Sequence, residues 1–138
     1  MSETFRHLLR VRYAECDAQG VVFNTRYGEY VDVAMTEFFR AIDFPSGDFQ
    51  LVKQTHEWMA PARWDEVLEI SVHCVKLGTT SCTIQFEFRI AGKPDVIMRN
   101  ETVYVHVDAQ LRKKALPSGL RDKLTQGSSA CTDHAGYL

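Results

Sequence analysis

One stretch sets the architecture of the chain: RYAECDAQGVVFNTRY, residues 12–27. It joins the end of a predicted strand to the start of a predicted helix through a turn. Asp17 lies in that turn, and Gly20 follows where a residue without Cβ lets the backbone bend. Asn24 or Thr25 can cap the helix that comes next. A carboxylate is therefore expected close to the N-terminus of a helix.

Hydrophobic residues flank this stretch with two different periods. Before it, apolar residues from Phe5 to Val11 alternate with arginines, which is the pattern of a half-buried strand. After it, an apolar stripe with helical spacing predicts an amphipathic helix of about four turns, which Pro45 and Gly47 end. The stripe consists of Tyr27, Tyr30, Val31, Ala34, Phe38 and Ile42.

The helix N-terminus supplies the second half of a reactive site. Its first backbone N–H groups have no partner within the helix, carry partial positive charge and can polarise a carbonyl oxygen. We expect the backbone N–H of Asn24 to do this beside the Asp17 carboxylate, an arrangement suited to acyl transfer. Asp17 could act as the nucleophile or as the general base for a water molecule. It could also be only a turn residue without a catalytic role, because aspartate is common before helices.

Two strands are predicted between the helix and residue 77. Residues 49–60 form a weak strand, which Pro61 ends. Residues 68–77 alternate at first and then change phase at Val75, which indicates a β-bulge or a strand covered on both faces.

Two longer strands and a short helix complete the prediction. Residues 82–90 show the clearest alternation in the chain, and a hairpin connects them to a strand over residues 96–107. The inner face of that last strand is expected to hold Val103, Val105 and Val107, with Tyr104 and His106 opposite. Residues 116–124 are predicted to form a terminal helix.

These elements give an α+β fold in a single domain, residues 1–124, with one long helix across a curved, mainly antiparallel sheet of about five strands. Residues 125–138 contain few large apolar side chains and are expected to be a flexible C-terminal tail. One helix cannot cover such a sheet, so self-association is expected.

The organising stretch resembles the signature of a known family. The pattern Tyr13-x-Glu15-x-Asp17-x-x-Gly20-Val21-Val22-Phe23-x-x-x-Tyr27 is similar to that of the hotdog-fold acyl-CoA thioesterases, in the branch of 4-hydroxybenzoyl-CoA thioesterase and YbgC. Residues 60–68, 98–108 and 116–117 resemble later blocks of the family, so the likeness covers about residues 5–122. It implies a hotdog domain that hydrolyses an acyl-CoA to a free acid and coenzyme A.

The resemblance also implies the assembly and the cofactor requirement. Hotdog subunits pair through their sheets, so a homodimer or homotetramer with active sites between subunits is expected. Coenzyme A would enter as part of the substrate, and no metal or redox cofactor is expected.

Roles for individual side chains follow from the same resemblance. Tyr13 and Tyr27 match positions that line the acyl pocket or fix the catalytic loop, although Tyr27 also fits the buried stripe of the helix. His56 and Trp58 lie in the strand that in the family reaches the neighbouring pocket. Asn24 stands where relatives often carry histidine, and an amide cannot shuttle a proton at neutral pH.

Basic strand residues are the candidate ligands of the coenzyme A phosphates. A guanidinium or ammonium group can bind phosphate, although each of these residues could be an ordinary solvated strand charge. The candidates are Lys76, Arg89, Arg99 and Arg112.

Other functions stay open. The alternatives are a thioesterase acting on carrier-protein-bound or polyketide chains, an acyl-CoA hydratase, which hotdog folds also include, and a non-catalytic acyl-CoA-binding module. Hydratases typically pair aspartate with histidine, which the organising stretch lacks, and a binding module has no need of a carboxylate at Asp17. Cys16 could act as a nucleophile with His7 or His56 as base, but strand alternation points it away from Asp17.

Composition narrows the partners and the compartment. A net charge of −2 argues against nucleic-acid binding. The N-terminal residues have no signal-peptide pattern and no run of 18 apolar residues occurs, so we expect a cytoplasmic protein without membrane insertion. The cysteines have no metal-ligand spacing and are expected to be free thiols, at Cys16, Cys74, Cys82 and Cys131.

Overall fold

The structure is a computed structural model that describes residues 3–44 and 46–138. A long helix, α1 (Arg26–Ala41), packs on one face of a single sheet. The sheet contains β1 (Phe5–Arg10), β2 (Phe49–Trp58), β3 (Val67–Leu77), β4 (Ser81–Ile90), β5 (Val96–His106) and β6 (Cys131–Asp133), and a shorter helix, α2 (Ser118–Gln126), precedes β6. The predicted α+β class is confirmed, with six strands in place of about five.

The strands lie in the order β2-β5-β4-β3-β1-β6. All neighbours are antiparallel except β1 and β6, which are parallel. The register of β3 against β4 shifts between Cys74 and Lys76, so the phase change predicted at Val75 is a β-bulge. Strand β2 forms one edge of the sheet and pairs only with β5 among the described residues.

Helix α1 buries the predicted stripe. All six stripe residues are at most 6% exposed, and they join the core that the inner faces of β3 and β4 provide. This burial holds the helix across the sheet, because apolar side chains gain about 25 cal/mol for each Å² removed from water. The N-terminus of α1 is thereby fixed beside the loop that carries Asp17.

The faces of β5 were predicted wrongly. Tyr104 belongs to the hydrophobic core, whereas Val103 and Val105 lie on the opposite face of the sheet. The register explains the inversion, because Tyr104 pairs with the core residue Cys82 of β4. Polar residues share the inner face of β5 with Tyr104. The assumption that the valines face the core therefore assigned the inner face to the wrong set of residues.

The last residues of the chain join the sheet. The predicted domain boundary at residue 124 falls within α2, and β6 pairs with β1 from Arg6 to Leu8. The His134 backbone N–H donates to the carbonyl of Leu8 at 2.9 Å, which extends this pairing. The mobility expected for residues 125–138 in solution stays a prediction.

Among the described residues, neither helix is long and apolar enough to cross a membrane.

Candidate active site

Asp17 is fixed by its own turn. Its backbone N–H donates to Val21 O and its carbonyl accepts from Gly20 N–H, each at 2.9 Å. The carboxylate Oδ1 accepts the N–H groups of Gln19 at 2.8 Å and Val21 at 3.4 Å. The other oxygen, Oδ2, accepts no hydrogen bond from the described part of the chain, so one oxygen is held and one is left for a ligand.

Gly20 closes the turn in a left-handed conformation. Its φ is +77°, a value that costs an L-residue with a Cβ about 1–2 kcal/mol. An ideal Cβ on Gly20 would meet nothing within 4 Å, so the requirement for glycine is conformational and not steric. The prediction that Gly20 enables the bend is consistent with this geometry.

The start of α1 presents a free donor. The first helical residue, Arg26, donates its N–H to Phe23 O at 2.9 Å, and Thr25 occupies the N-cap position without a side-chain hydrogen bond. The side-chain cap expected from Asn24 or Thr25 is therefore not formed. The backbone N–H of Asn24 has no acceptor within residues 3–44 and 46–138, and Asn24 is exposed. This is the donor expected near the Asp17 carboxylate.

An ion pair between the exposed Arg12 guanidinium and the buried Glu15 carboxylate supports the loop. Glu15 is 4% exposed, and its carboxylate accepts the Arg12 backbone N–H at 2.8 Å and the Arg12 guanidinium at 3.0 Å. The hydroxyl of Tyr30 on α1 donates to Glu15 at 2.8 Å. Burial would raise the pKa of Glu15, but the hydrogen bonds from Arg12 and Tyr30 outweigh it and lower that pKa. Burial and the bond to Glu15 raise the pKa of Tyr30.

Sequence reasoning did not find this network. The spacing of Arg12 and Glu15, three residues apart, was a usable signal for a local ion pair. The contact with Tyr30 spans 15 residues, and only the three-dimensional packing of α1 on the loop brings it about.

Residues 60–64 brace the loop from the other side. Val22 N–H donates to Ala62 O at 2.9 Å, and Trp64 N–H donates to Gly20 O at 3.1 Å. The Ala62 N–H donates to the hydroxyl of Tyr27 at 3.1 Å, which ties this segment to α1. The second block of the family resemblance thus lies against the Asp17 loop.

A cleft of about 280 Å³ opens at the N-terminus of α1. Its lining includes Asn24 and Tyr27 on one side and Trp58 and Met59 of the β2 end on the other. Tyr27 is 1% exposed and packs against Trp58 with ring centroids 5.9 Å apart. Asp17 belongs to the loop that contributes Val21 and Val22 to this cleft, and it is not itself among the lining residues.

The other predicted contact residues divide into two groups. His56 stacks on Trp58 at 5.3 Å and so lies next to the cleft, and burial lowers its pKa. Tyr13 is 78% exposed and packs on Trp64, away from the cleft lining. Their roles in binding stay predictions.

The arginines of β4 and β5 are held on the opposite face of the sheet. Arg89 and Arg99 both pair with Glu87, at 3.5 and 3.0 Å, and Arg99 also approaches Glu57 at 3.5 Å. The structure does not bring either arginine to the cleft. Of the other two phosphate candidates, Arg112 pairs with Asp108 at 3.4 Å and Lys76 is exposed.

Cys16 is unsuited to the role of nucleophile. Burial raises the pKa of its thiol, and the carboxylates of Glu15 and Asp17 raise it further, so the reactive thiolate is disfavoured. All four cysteines are free. Within the described residues no three His, Cys, Asp or Glu side chains are grouped to hold a metal ion, and independence from metal stays a prediction.

The chain belongs to the thioesterase superfamily, whose family model matches residues 19–97. The match covers the Asp17 loop from Gln19 onward, all of α1, and the sheet from β2 into β5.

Named relatives agree with this assignment. The chain is 32% identical over 125 residues to the acyl-CoA thioester hydrolase YbgC of Escherichia coli O157:H7, and the match covers 84% of this chain and 92% of the relative. YbgC of Shigella flexneri matches with the same identity and coverage. The resemblance to the YbgC-like thioesterases is confirmed.

Solved structures share the fold. A 1,4-dihydroxy-2-naphthoyl-CoA thioesterase from Synechocystis superposes with a TM-score of 0.78 at 20% identity, covering 88% of this chain and 95% of that one. An aspartate-to-asparagine variant of 4-hydroxybenzoyl-CoA thioesterase, in complex with 4-hydroxybenzoyl-CoA, gives a TM-score of 0.81 at 16% identity, covering 89% and 99%. The predicted hotdog fold is confirmed.

Proposed function

We propose that this chain hydrolyses acyl-CoA thioesters to a free carboxylic acid and coenzyme A. The observation that carries the proposal is the Asp17 carboxylate, held through one oxygen by its own turn, on the loop that leads to the unpaired N–H at the start of α1. The family assignment and the YbgC relatives support this reaction over others that one carboxylate could perform.

The residues suit a tetrahedral mechanism. In the general-base route, Asp17 takes a proton from water as the oxygen adds to the thioester carbonyl, and the C–S bond then breaks to release the coenzyme A thiolate. In the nucleophilic route, the Asp17 carboxylate adds to the carbonyl, and the C–S bond breaks to expel the coenzyme A thiolate and leave a mixed anhydride. Water then hydrolyses the anhydride, which releases the free acid and restores the carboxylate. Both routes use the ionised carboxylate.

Backbone N–H groups at the start of α1 would stabilise the oxyanion. Asn24 is exposed, its backbone N–H has no acceptor within the described residues, and a well-placed donor of this kind lowers a barrier by about 3 kcal/mol. The network of Arg12, Glu15 and Tyr30 would act as a positioning device, because it holds the loop residues before Asp17 in one conformation.

Acyl binding is proposed for the cleft at the end of β2. Tyr27 and Trp58 line it, His56 stacks on Trp58 next to it, and Tyr13, which packs away from the lining, stays a further candidate. The candidate ligands of the coenzyme A phosphates remain Arg89 and Arg99, and each would have to exchange Glu87 for a phosphate.

A homodimer or homotetramer is proposed as the working form. Edge strand β2 is ten residues long and carries Leu51 and Val52, which are 46% and 57% exposed. Long edge strands with apolar side chains tend to pair with a second chain. A second copy on this edge would stand beside the cleft at Trp58. The cytoplasm stays the predicted location.

The test is hydrolysis of a panel of short, medium, long and aromatic acyl-CoA esters. Free thiol would be measured continuously, and the acyl products would be identified by chromatography. We expect release of thiol and free acid in equal amounts. Binding without thiol release would favour a binding module. Conversion of an α,β-unsaturated acyl-CoA in the panel to its hydroxyacyl-CoA would favour a hydratase, and activity on carrier-protein thioesters alone would favour the carrier-protein alternative.

A further inference from the structure

The turn that carries Asp17 belongs to a small antiparallel arrangement of three short segments. Cys16 pairs with Val22, and Val21 pairs with Arg63, in two isolated β-bridges. The Asp17 N–H donates to Val21 O at 2.9 Å, which continues the first pairing by one residue. Asp17 is therefore opposite Val21, and Val21 is opposite Arg63.

Asp17 and Arg63 share one face of this small sheet. Residues directly opposite each other in antiparallel pairing point to the same side. Val22 is 4% exposed and Ala62 is 0% exposed, so the other face is turned to the core. Val21 alternates with Val22 and contributes its face to the lining of the cleft. The Arg63 side chain thus projects on the same side as the Asp17 carboxylate.

The main chain at Arg63 is fixed from both sides. Its N–H donates to Glu66 Oε1 at 2.6 Å, and its carbonyl accepts from the Glu66 N–H at 3.2 Å. The next residue, Trp64, donates its N–H to Gly20 O at 3.1 Å. The base of the Arg63 side chain is therefore held at a set place relative to the Asp17 turn.

The Arg63 guanidinium is not engaged. Arg63 is exposed, and its guanidinium forms no hydrogen bond or ion pair within residues 3–44 and 46–138. Arg89 and Arg99 differ, because both pair with Glu87 on the opposite face of the main sheet. A guanidinium presents five N–H donors in a planar fork that matches the oxygens of a phosphate. Arg63 can bind such an anion without giving up a protein partner.

Arg63 lies outside the acyl cleft, on the side of the Asp17 turn. The cleft is lined by Asn24 and by Pro61, which precedes Arg63 by two residues, whereas Asp17 and Arg63 are not part of the lining. A thioester with its carbonyl between Asp17 and the Asn24 N–H, and its acyl group in the cleft, directs its thiol part out over the face that carries Arg63. The first anionic group along the thiol part of coenzyme A is the phosphate attached to the pantetheine arm.

We propose that Arg63 binds the phosphate attached to the pantetheine arm, the 4′-phosphate, while the thioester lies at Asp17. This inference rests on the proposed thioesterase function. It makes Arg63 a binding residue for the thiol part of the substrate and separates its role from that of the acyl cleft. Arg89 and Arg99 stay the candidates for the phosphates farther along coenzyme A.

The test removes the parts of coenzyme A one at a time. Thioesters of one acyl group would be prepared with coenzyme A, 3′-dephospho-coenzyme A, 4′-phosphopantetheine and pantetheine, and free-thiol release would be measured. We expect kcat/KM to fall by about 10-fold or more between the 4′-phosphopantetheine and pantetheine esters. Equal values for those two esters, with any preference confined to the 3′-phosphate or the adenylate, would overturn the proposal and leave the thioesterase function intact.

Variants assign the phosphate preference to Arg63. Arg63→Gln keeps a polar side chain and removes the charge, and we expect the ratio between the last two esters to fall to near one. Arg63→Lys keeps the charge without the planar fork and should retain part of the ratio. Lys113→Gln removes an exposed positive charge beyond the end of β5 that is remote from the cleft and should preserve the ratio. A ratio that survives in Arg63→Gln would contradict the proposal.

Stability controls for a purely structural role of Arg63. Because its guanidinium has no partner among the described residues, Arg63→Gln should unfold at the melting temperature of the wild type. A lowered melting temperature together with an unchanged ratio of the two esters would show that Arg63 supports the fold and not the substrate.

Binding separates this inference from the proposed reaction. Unreactive thioether analogues of the 4′-phosphopantetheine and pantetheine esters would be titrated calorimetrically against the wild-type protein and against Arg63→Gln. Tighter binding of the phosphorylated analogue that Arg63→Gln abolishes supports the contact even if no thioester is hydrolysed. Equal dissociation constants of the two analogues for the wild type refute the contact, whatever the hydrolysis assay shows.

Discussion

At the scale of single residues, the carboxylate proposed to be catalytic, that of Asp17, is held by short local contacts. Asp17 could be located from the sequence, because a turn before a helix and its glycine are local features that a motif preserves. The contact of Glu15 with Tyr30 could not be located, since the Tyr30 hydroxyl reaches the carboxylate only after α1 has packed. The place of Arg63 on the face of Asp17 was equally hidden, because it depends on the bridge between Val21 and Arg63.

Tyr30→Phe tests whether the buried network supports the loop. The change removes the hydroxyl that donates to Glu15 and leaves the aromatic packing in place. We expect the free energy of unfolding, measured by urea denaturation, to fall by roughly 1–2 kcal/mol. We also expect kcat to fall, because the loop before Asp17 loses a restraint. Unchanged stability and unchanged kcat would show that the network has no supporting role.

Gly20→Ala isolates the conformational requirement of the turn. A Cβ at this position meets no neighbour, so the expected loss of about 1–2 kcal/mol comes from the positive φ alone. Gly119→Ala is the matched control, since it also meets no neighbour and lies in α2, where alanine favours the helix. Thermal unfolding of the wild type and of both variants measures the loss. A melting temperature of Gly20→Ala equal to that of the wild type would contradict the conformational requirement at Gly20.

At the scale of elements, hydrophobic periodicity predicted the helices and strands that are long and have a regular apolar pattern. Helix α1 has a full apolar stripe, and β4 alternates cleanly, so both could be recognised. Strand β6 has three residues, and its pairing with β1 links positions 125 residues apart, which leaves no local signal. The inner face of β5 was misassigned because it carries Asn100 and Thr102 among its core residues.

The contact between β1 and β6 should make stability depend on pH. His7 is fully buried, and its Nδ1 is 2.6 Å from Thr132 Oγ1. Burial and the neighbouring His134 lower the His7 pKa from 6.5 to about 4, although Glu37 and Asp133 partly oppose this. The unfolded chain therefore binds a proton between these pH values while the folded protein does not. Stability should be full above pH 6.5 and fall by about 3 kcal/mol on acidification to pH 4.

Urea denaturation at several pH values measures this effect. His7→Asn keeps a hydrogen-bonding side chain toward Thr132 and cannot titrate, so its stability should vary less between pH 6.5 and 4 than that of the wild type. Parallel pH profiles for the two proteins would exclude His7 as the source.

At the scale of the whole molecule, the sheet has an open edge at β2. Its β2 edge is unpaired among the described residues and stands next to the proposed acyl cleft. The expectation of self-association followed from the prediction of one long helix, which is too small to cover the predicted sheet. The edge that would be used could not be predicted, because strand order is a property of the folded topology.

Val52→Lys tests the proposed assembly. A charge on the exposed β2 edge should weaken pairing with a second copy, shift the molecular mass from light scattering toward that of the monomer, and lower activity in parallel. Val75→Lys places the same charge at an exposed position in the β3 bulge and should leave the mass unchanged. A Val52→Lys protein with the wild-type mass would argue against this edge as the interface.

The most direct test of the account is the hydrolysis rate of Asp17→Asn beside the wild type. Asparagine keeps an oxygen for the N–H groups of Gln19 and Val21, so the turn should persist. Asp122→Asn, at an exposed position of α2, controls for the loss of a carboxylate. With the best ester of the panel, we expect kcat/KM to fall by about 100-fold or more in Asp17→Asn and to be unchanged in Asp122→Asn, with equal melting temperatures. A folded Asp17→Asn protein with wild-type kcat/KM would show that Asp17 is not the catalytic carboxylate.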